Sequence, residues 1–241
     1  MIQYQDEHLM ISCAHCFDKE GAHNLFVGGN QVFHIDRSVL TTQLPPGVDR
    51  VNDPVDFAVV LLQPNEVANL SARTLFIPEG AIEGPMAEDL SDDFGVFGFL
   101  GHHNEVDTVN GTLEANAVEF PAKKTHKFQT RQTRAHPTWY LPLMFEPGEI
   151  KKSLPPNFDI RRLGGMSGGP IFRYSNDGLR SLAGIAIEHH PSRKRQVLLG
   201  LRSCVIRNLL TRWWPKIGQS ASSNASTLPQ GSNIHSTSSS A

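Results

Sequence analysis

Short apolar segments, each bounded by chain-breaking residues, recur along almost the whole chain, and this rhythm constrains the fold more than any other feature. Strand-like runs are expected at 9–14, 25–27, 31–35, 57–62, 94–99, 112–120, 128–131, 139–145, 170–174, 182–187 and 197–201. Gly28-Gly29-Asn30, Pro45-Pro46-Gly47, Glu79-Gly80, Pro155-Pro156-Asn157 and Asn176-Asp177-Gly178 punctuate them. Many short strands with little helical periodicity predict an all-β barrel or sandwich. One helix is expected, at 203–214, where Val205, Leu209 and Trp213 fall on one face. From 218 to 241 the chain is mostly Ser, Asn, Thr and Gly, a composition that cannot bury enough surface to offset its ordering entropy, so a disordered tail is expected there.

The run Gly164-Gly165-Met166-Ser167-Gly168-Gly169-Pro170-Ile171-Phe172 has the composition of a loop that presents a serine. Glycines let the backbone curl tightly and aim the amides of Gly165 and Ser167 at one point, where an oxyanion would be stabilised. A serine is a poor nucleophile without a base, and the base needs a third group to hold its tautomer. Two candidates lie upstream. His15 ends Ser12-Cys13-Ala14-His15-Cys16, and Asp56 opens Asp56-Phe57-Ala58-Val59-Val60. Taken singly, the histidine reads as structural and the aspartate as a turn residue.

Together their order and spacing resemble the chymotrypsin-like (trypsin-fold) serine peptidases, in particular bacterial and HtrA-like members. There the histidine motif, the Asp-Phe-Ala-Val-like motif and the Gly-x-Ser-Gly-Gly-Pro motif follow in this order. Here they are 41 and 111 residues apart. The resemblance implies two six-stranded antiparallel barrels, the first over about residues 1–85 and the second over about 86–202. A C-terminal helix would close a peptidase domain spanning 1–217. It implies a serine endopeptidase with His15, Asp56 and Ser167 as catalytic residues, Gly165 and Ser167 as oxyanion hole, a polypeptide substrate, and no metal or cofactor. By position relative to the serine motif, Arg161, Ile187, Glu188 and His189 would line the substrate pocket, whose basic members would suit an acidic residue before the scissile bond. Met166 replaces the aspartate that digestive enzymes pair with a new N-terminus, so no such switch is expected. A histidine base would make activity rise with pH near ~6.5.

Composition limits the alternatives. A net charge of −2, with 39% hydrophobic and 19% charged residues, is that of a globular chain with no general attraction to nucleic acid or to anionic membranes. No apolar run approaches a membrane span and the first residues lack signal-peptide character, so a cytoplasmic location is expected; nothing specifies an oligomeric state. Three cysteines argue against a disulfide framework. Cys16 takes the place of a cysteine that secreted relatives pair with an earlier one, but none precedes Cys13. A Cys13–Cys16 bridge would need unusual geometry, so free thiols are expected at Cys13, Cys16 and Cys204. His102, His103, Glu105 and Asp107 carry metal-capable groups, yet adjacent strand residues point to opposite faces, and a hairpin loop is the better reading. Only 14 residues precede His15, so the first barrel is expected to be incomplete at its N-terminus, leaving Leu9, Ile11 and Phe26 short of cover. That feature supports a second possibility, a catalytically silent binding module of the same fold. A serine hydrolase of another acyl bond fits less well, because its nucleophile elbow normally precedes its histidine.

Overall fold

The structure is a computed structural model describing residues 1–18, 24–26, 32–34, 39–71, 75–84, 93–99, 105–107, 112–114, 117–126, 128, 130, 133–134, 136–145, 165–191 and 196–225. In chain order the strands of the first half are β1 (Ile2–Tyr4), β2 (Glu7–Ser12), β3 (Asn24–Phe26), β4 (Val32–His34), β5 (Leu40–Thr41) and β6 (Ala58–Leu61), then helix α1 (Pro64–Ser71) and β7 (Ile77–Pro78). The second half holds β8 (Asp93–Phe99), β9 (Glu105–Asp107), β10 (Thr112–Glu114), β11 (Ala117–Lys124), β12 (Tyr140–Phe145), β13 (Pro170–Tyr174), β14 (Arg180–Pro191) and β15 (Gln196–Arg202), followed by helix α2 (Ser203–Ala225). The second half closes as a six-stranded antiparallel barrel in the order β11-β12-β15-β14-β13-β8. Among the described residues the first half is instead an open five-stranded sheet, β5-β6-β2-β1-β7, with β3 and β4 as a separate hairpin.

Alternation along the strands explains two cores. In β12, Leu141, Leu143 and Phe145 point into the barrel with Phe94, Val96, Phe120 and Ile171, while Tyr140 faces the other way. β15 is apolar from Val197 to Leu201 because both its faces are covered. Leu198 lies in the barrel core, and Leu199 and Leu201 pack outward against Leu9, Ile11, Phe57 and α2. The larger cluster thus joins the two halves.

Several expectations are corrected. Ile2–Tyr4 is a strand, turned onto β2 by Gln5 and Asp6 at φ of 46° and 65°, the positive angles of a type I′ hairpin. With β1 on one side and β6 on the other, Leu9 is fully buried and Ile11 nearly so; they do not lack cover. The expected strand 112–120 is two, β10 and β11. Phe128 and Thr130 are irregular: the Thr130 hydroxyl accepts the Thr133 amide at 3.1 Å while the Thr133 hydroxyl accepts the Thr130 amide at 2.7 Å, a local pairing that competes with a ladder. α1 was not expected. Pro64 sits at its first position, and Glu66 reaches back to accept the Gln63 amide at 2.7 Å, half of a capping box. Of the acidic cluster, the backbone of Glu105–Asp107 forms a hairpin with β10, and His102 and His103 lie outside the described residues.

α2 runs to Ala225 rather than Trp214, through Pro215 and into the segment expected to be tail; residues 226–241 lie outside the described residues. Ile217 is buried one turn beyond Trp213, and a helix anchored this far can propagate at low cost through Ser, Ala and Gln. Its fully buried residues are Ile206, Leu210 and Ile217, with Val205, Leu209 and Trp213 flanking them half-buried. The stripe is therefore turned by one position, which widens the face and lets it cover both halves rather than the barrel alone. No helix among the described residues is long and apolar enough to cross a membrane.

A buried ion pair ties the strap after β7 to the barrel. The Glu83 amide donates to the Leu182 carbonyl at 3.0 Å. Arg173 of β13 donates to the Glu83 carboxylate from Nε at 2.7 Å and Nη2 at 3.3 Å, and the Ser181 hydroxyl adds a third bond at 2.6 Å. Removing one partner strands the other charge in low dielectric. Arg173→Ala is expected to cost about 3–5 kcal/mol in urea unfolding, and replacing both partners (Arg173→Met with Glu83→Leu) to recover most of that loss.

Candidate active site

β2 and β6 are antiparallel neighbours with Ser12 opposite Ala58, so the residues just beyond Ser12 and just before Ala58 emerge at the same end of the sheet. Cys13 is extended and starts a 3-10 turn over Ala14–Cys16 that swings His15 off the strand axis. Asp56 meets it there, with its carbonyl accepting the Ala14 amide at 3.1 Å. Its carboxylate accepts the His15 amide on Oδ1 at 2.9 Å and the imidazole Nδ1 on Oδ2 at 2.5 Å. Both ends of one carboxylate thus grip one histidine, which fixes the ring and keeps its proton on Nδ1. The Asp56 hydrogen bond, followed by the Cys16 sulfur, raises the His15 pKa from 6.5 to about 10, against the opposing effect of burial.

Asp56 holds this position in a left-handed conformation, φ of 45°, which a non-glycine residue adopts only under constraint. The constraint comes from the preceding loop. Asp53, buried, accepts the Thr42 hydroxyl at 2.5 Å, Arg50 Nη1 at 2.9 Å and the Val55 amide at 2.9 Å. Thr42 Oγ1 in turn accepts the Phe57 amide at 3.2 Å, and the Tyr140 hydroxyl of the barrel donates to the Pro54 carbonyl. Backbone on both sides of Asp56 is pinned. Burial pushes the Asp53 carboxyl up, but the Thr42 hydroxyl, the nearby amides and Arg50 together hold it below 3.8. Sequence reasoning missed Asp53, Thr42 and Arg50 because their types are those of ordinary loop residues.

Ser167 sits in a tight turn closed by the Gly169 amide on the Met166 carbonyl at 2.9 Å. Gly168 at the third position has φ of 80°, as a type II turn requires. Met166 is buried in the barrel core and packs against Gly98, where a Cβ would stand 2.4 Å from its sulfur. It fills an apolar gap beneath the turn. A Cβ on Gly168 would meet Ser12 Oγ at 2.2 Å, and one on Gly169 the Phe97 carbonyl at 2.0 Å. The turn is therefore seated directly on the end of β2, three residues before His15. Ala186 of β14 receives the Gly168 amide at 2.8 Å and the Cys13 thiol at 3.1 Å on the same carbonyl. Among the described residues the amides of Gly165 and Ser167 have no hydrogen-bond partner, and no hydrogen bond joins the Ser167 hydroxyl to His15.

Of the residues expected at a substrate pocket, Ile187 is the extra residue of a β-bulge and is packed in the core that joins the halves. Glu188 is exposed and pairs with His190 at 3.2 Å. His189 is half-buried and hydrogen-bonded to Gln196 Oε1 at 2.7 Å; burial lowers its pKa, which Gln196 partly opposes. Arg161 lies outside the described residues. Ligand-type atoms of Cys13, His15 and Asp56 lie within 4.8 Å of one another, but the histidine nitrogen and carboxylate oxygen are bonded to each other and the thiol to Ala186, an arrangement that orients an imidazole rather than opening toward a cation. All three cysteines are free thiols.

No protein-family model matches the chain, and no curated protein matches it in sequence. Among solved structures, the chain is similar to a Glu endopeptidase in complex with MPD, with 12% identity, a TM-score of 0.42, and coverage of 94% of this chain and 84% of that one.

The loop network has a pH signature. The Asp53 carboxyl is depressed in the fold, so the stability it contributes is present above 3.8, its unperturbed value, and is lost as pH falls through the lower folded value. Asp53→Asn is expected to lose about 2 kcal/mol at pH 7 and to flatten the stability curve below pH ~4, as measured by urea unfolding at several pH values.

Proposed function

We propose that the chain is a trypsin-like serine endopeptidase acting through Ser167, His15 and Asp56, its first half standing for an open version of the family's first barrel. The observation that carries this reading is the doubly hydrogen-bonded His15–Asp56 pair beside the glycine turn of Ser167. Ser167 Oγ attacks the scissile carbonyl while His15 Nε2 takes its proton and then delivers it to the leaving amine. Asp56 keeps Nδ1 protonated and stabilises the imidazolium. The amides of Gly165 and Ser167 receive the oxyanion, each worth ~3 kcal/mol by the usual mutational measure. Water, activated by the same histidine, releases the acyl group.

Substrate selection is assigned to Arg161, Glu188 and His189. Burial keeps His189 neutral at pH 7, so it offers a hydrogen bond and the cationic share falls to Arg161. Peptides with Glu or Asp before the scissile bond should be cut faster than those with Lys or Arg. A library showing a basic or purely apolar preference refutes this part.

One observation favours the silent binding module: with its pKa near 10, His15 is mostly protonated at neutral pH and a poor proton acceptor. The two readings separate on labelling of Ser167 by a fluorophosphonate. For the peptidase, labelling and peptide hydrolysis rise with pH well past 7 toward about 10, rather than levelling just above 6.5. Cys16→Ser should shift that limb to lower pH, because the sulfur is the second contributor to the His15 shift. Ser167→Ala should abolish both signals without unfolding the chain, and Asp56→Asn should cost about 10⁴ in turnover. Absence of labelling at every pH from 6 to 10 sinks the peptidase reading.

A further inference from the structure

His15 stands between two thiols. Cys13 caps the 3-10 turn, Cys16 ends it, and the Cys16 amide donates to the Cys13 carbonyl at 3.2 Å. A turn closed by this bond holds its end Cα atoms within about 7 Å, at the edge of the span a disulfide bridges. Cys13 is fully buried and Cys16 half-exposed. The Cys13 thiol, whose proton goes to the Ala186 carbonyl, is also in hydrogen-bond contact with the Cys16 sulfur, as are the His15 and Ser12 side chains. These donors favour the thiolate and pull Cys16 down to about 5, while the same bond and burial push Cys13 up. One partly accessible sulfur held as the thiolate, backed by one buried thiol, is the layout of an attacking and a resolving cysteine. Cys204 lies apart, on α2.

We infer that Cys13 and Cys16 form a hydroperoxide-sensitive dithiol whose oxidation to an intramolecular disulfide switches the Ser167 site off. The chemistry balances with one hydrogen peroxide. The Cys16 thiolate attacks one oxygen, the S–O bond forms and the O–O bond breaks, and the departing hydroxide takes a proton from the His15 imidazolium to leave as water. The Cys13 sulfur then attacks the sulfenic sulfur; the S–S bond forms, the S–O bond breaks, and the hydroxyl leaves with the Cys13 proton as a second water. Two thiols are oxidised and one peroxide is reduced. The bridge draws the Cys13 sulfur off the Ala186 carbonyl, which also anchors the Gly168 amide, and closes a small ring around His15. Both partners of the candidate nucleophile are disturbed at once. The off-switch rests on the peptidase reading, whereas formation of the bridge does not.

The test is peroxide treatment of the full chain followed by mass spectrometry and peptide mapping. The expected product is about 2 Da lighter, with Cys13 joined to Cys16 and Cys204 still alkylatable. Serine labelling should fall at least tenfold and return with dithiothreitol. In Cys13→Ser a dimedone-type probe should trap sulfenic acid at Cys16, whereas Cys16→Ser should not label at Cys13. A wild-type product without the Cys13–Cys16 link, or trapping at Cys13 instead, overturns the dithiol. A bridge that leaves serine labelling unchanged overturns the switch. If the reduced protein never labels, the peptidase reading fails while the mapped bridge stands.

Discussion

The carbonyl of Ala186 is the point on which the candidate site depends. It receives the Gly168 amide from the serine turn and the Cys13 thiol from the end of β2, so one acceptor of the barrel fixes both the nucleophile loop and the chain that carries His15. No side chain larger than hydrogen fits at Gly168 or Gly169 while this seam stays closed, because Ser12 and the Phe97 carbonyl occupy the space. The two glycines act less as flexible residues than as room for close approach. The serine turn and the end of β2 are therefore held together by short contacts of the Cys13 thiol and Ser12 with barrel backbone, which tolerate little drift.

A second set of constraints works from the opposite side. Asp56 is held at a positive φ by bonds that flank it: Asp53 to Thr42, Arg50 and Val55 before it, Thr42 to Phe57 after it, and Tyr140 onto Pro54 from the barrel. Strain of this kind costs about 1–3 kcal/mol and persists only where surroundings over-determine it. Its return is geometric, since both carboxylate oxygens meet one histidine. The same cluster brings the Cys16 sulfur against the imidazole, so the proton affinity of His15 and the acidity of Cys16 are set within one turn of chain.

Much of this was legible in the residues. The serine loop, the histidine after a small residue and the aspartate before an apolar strand carried the site, and strand β13 matches its expected bounds because Gly169 and Asn176 punctuate it clearly. Short elements escaped. β1 spans three residues and turns on Gln5 and Asp6, neither of them a glycine, so no local signal marked the hairpin. α2 outran its expected end because Ile217, beyond Pro215, is buried by distant strands.

By itself the sequence determined the mostly-β class, the apolar faces of the barrel strands and the candidate reactive groups, since these follow from local periodicity and residue chemistry. Only the tertiary structure decided that the first half is an open sheet among its described residues, that Tyr140 of the barrel pins the backbone before Asp56, and that the Gly168 turn is seated on Ser12. Those outcomes depend on which distant groups share a few ångströms. Hydrogen bonds and electrostatic shifts are set by that spacing, and spacing between residues far apart in the chain has no local signature.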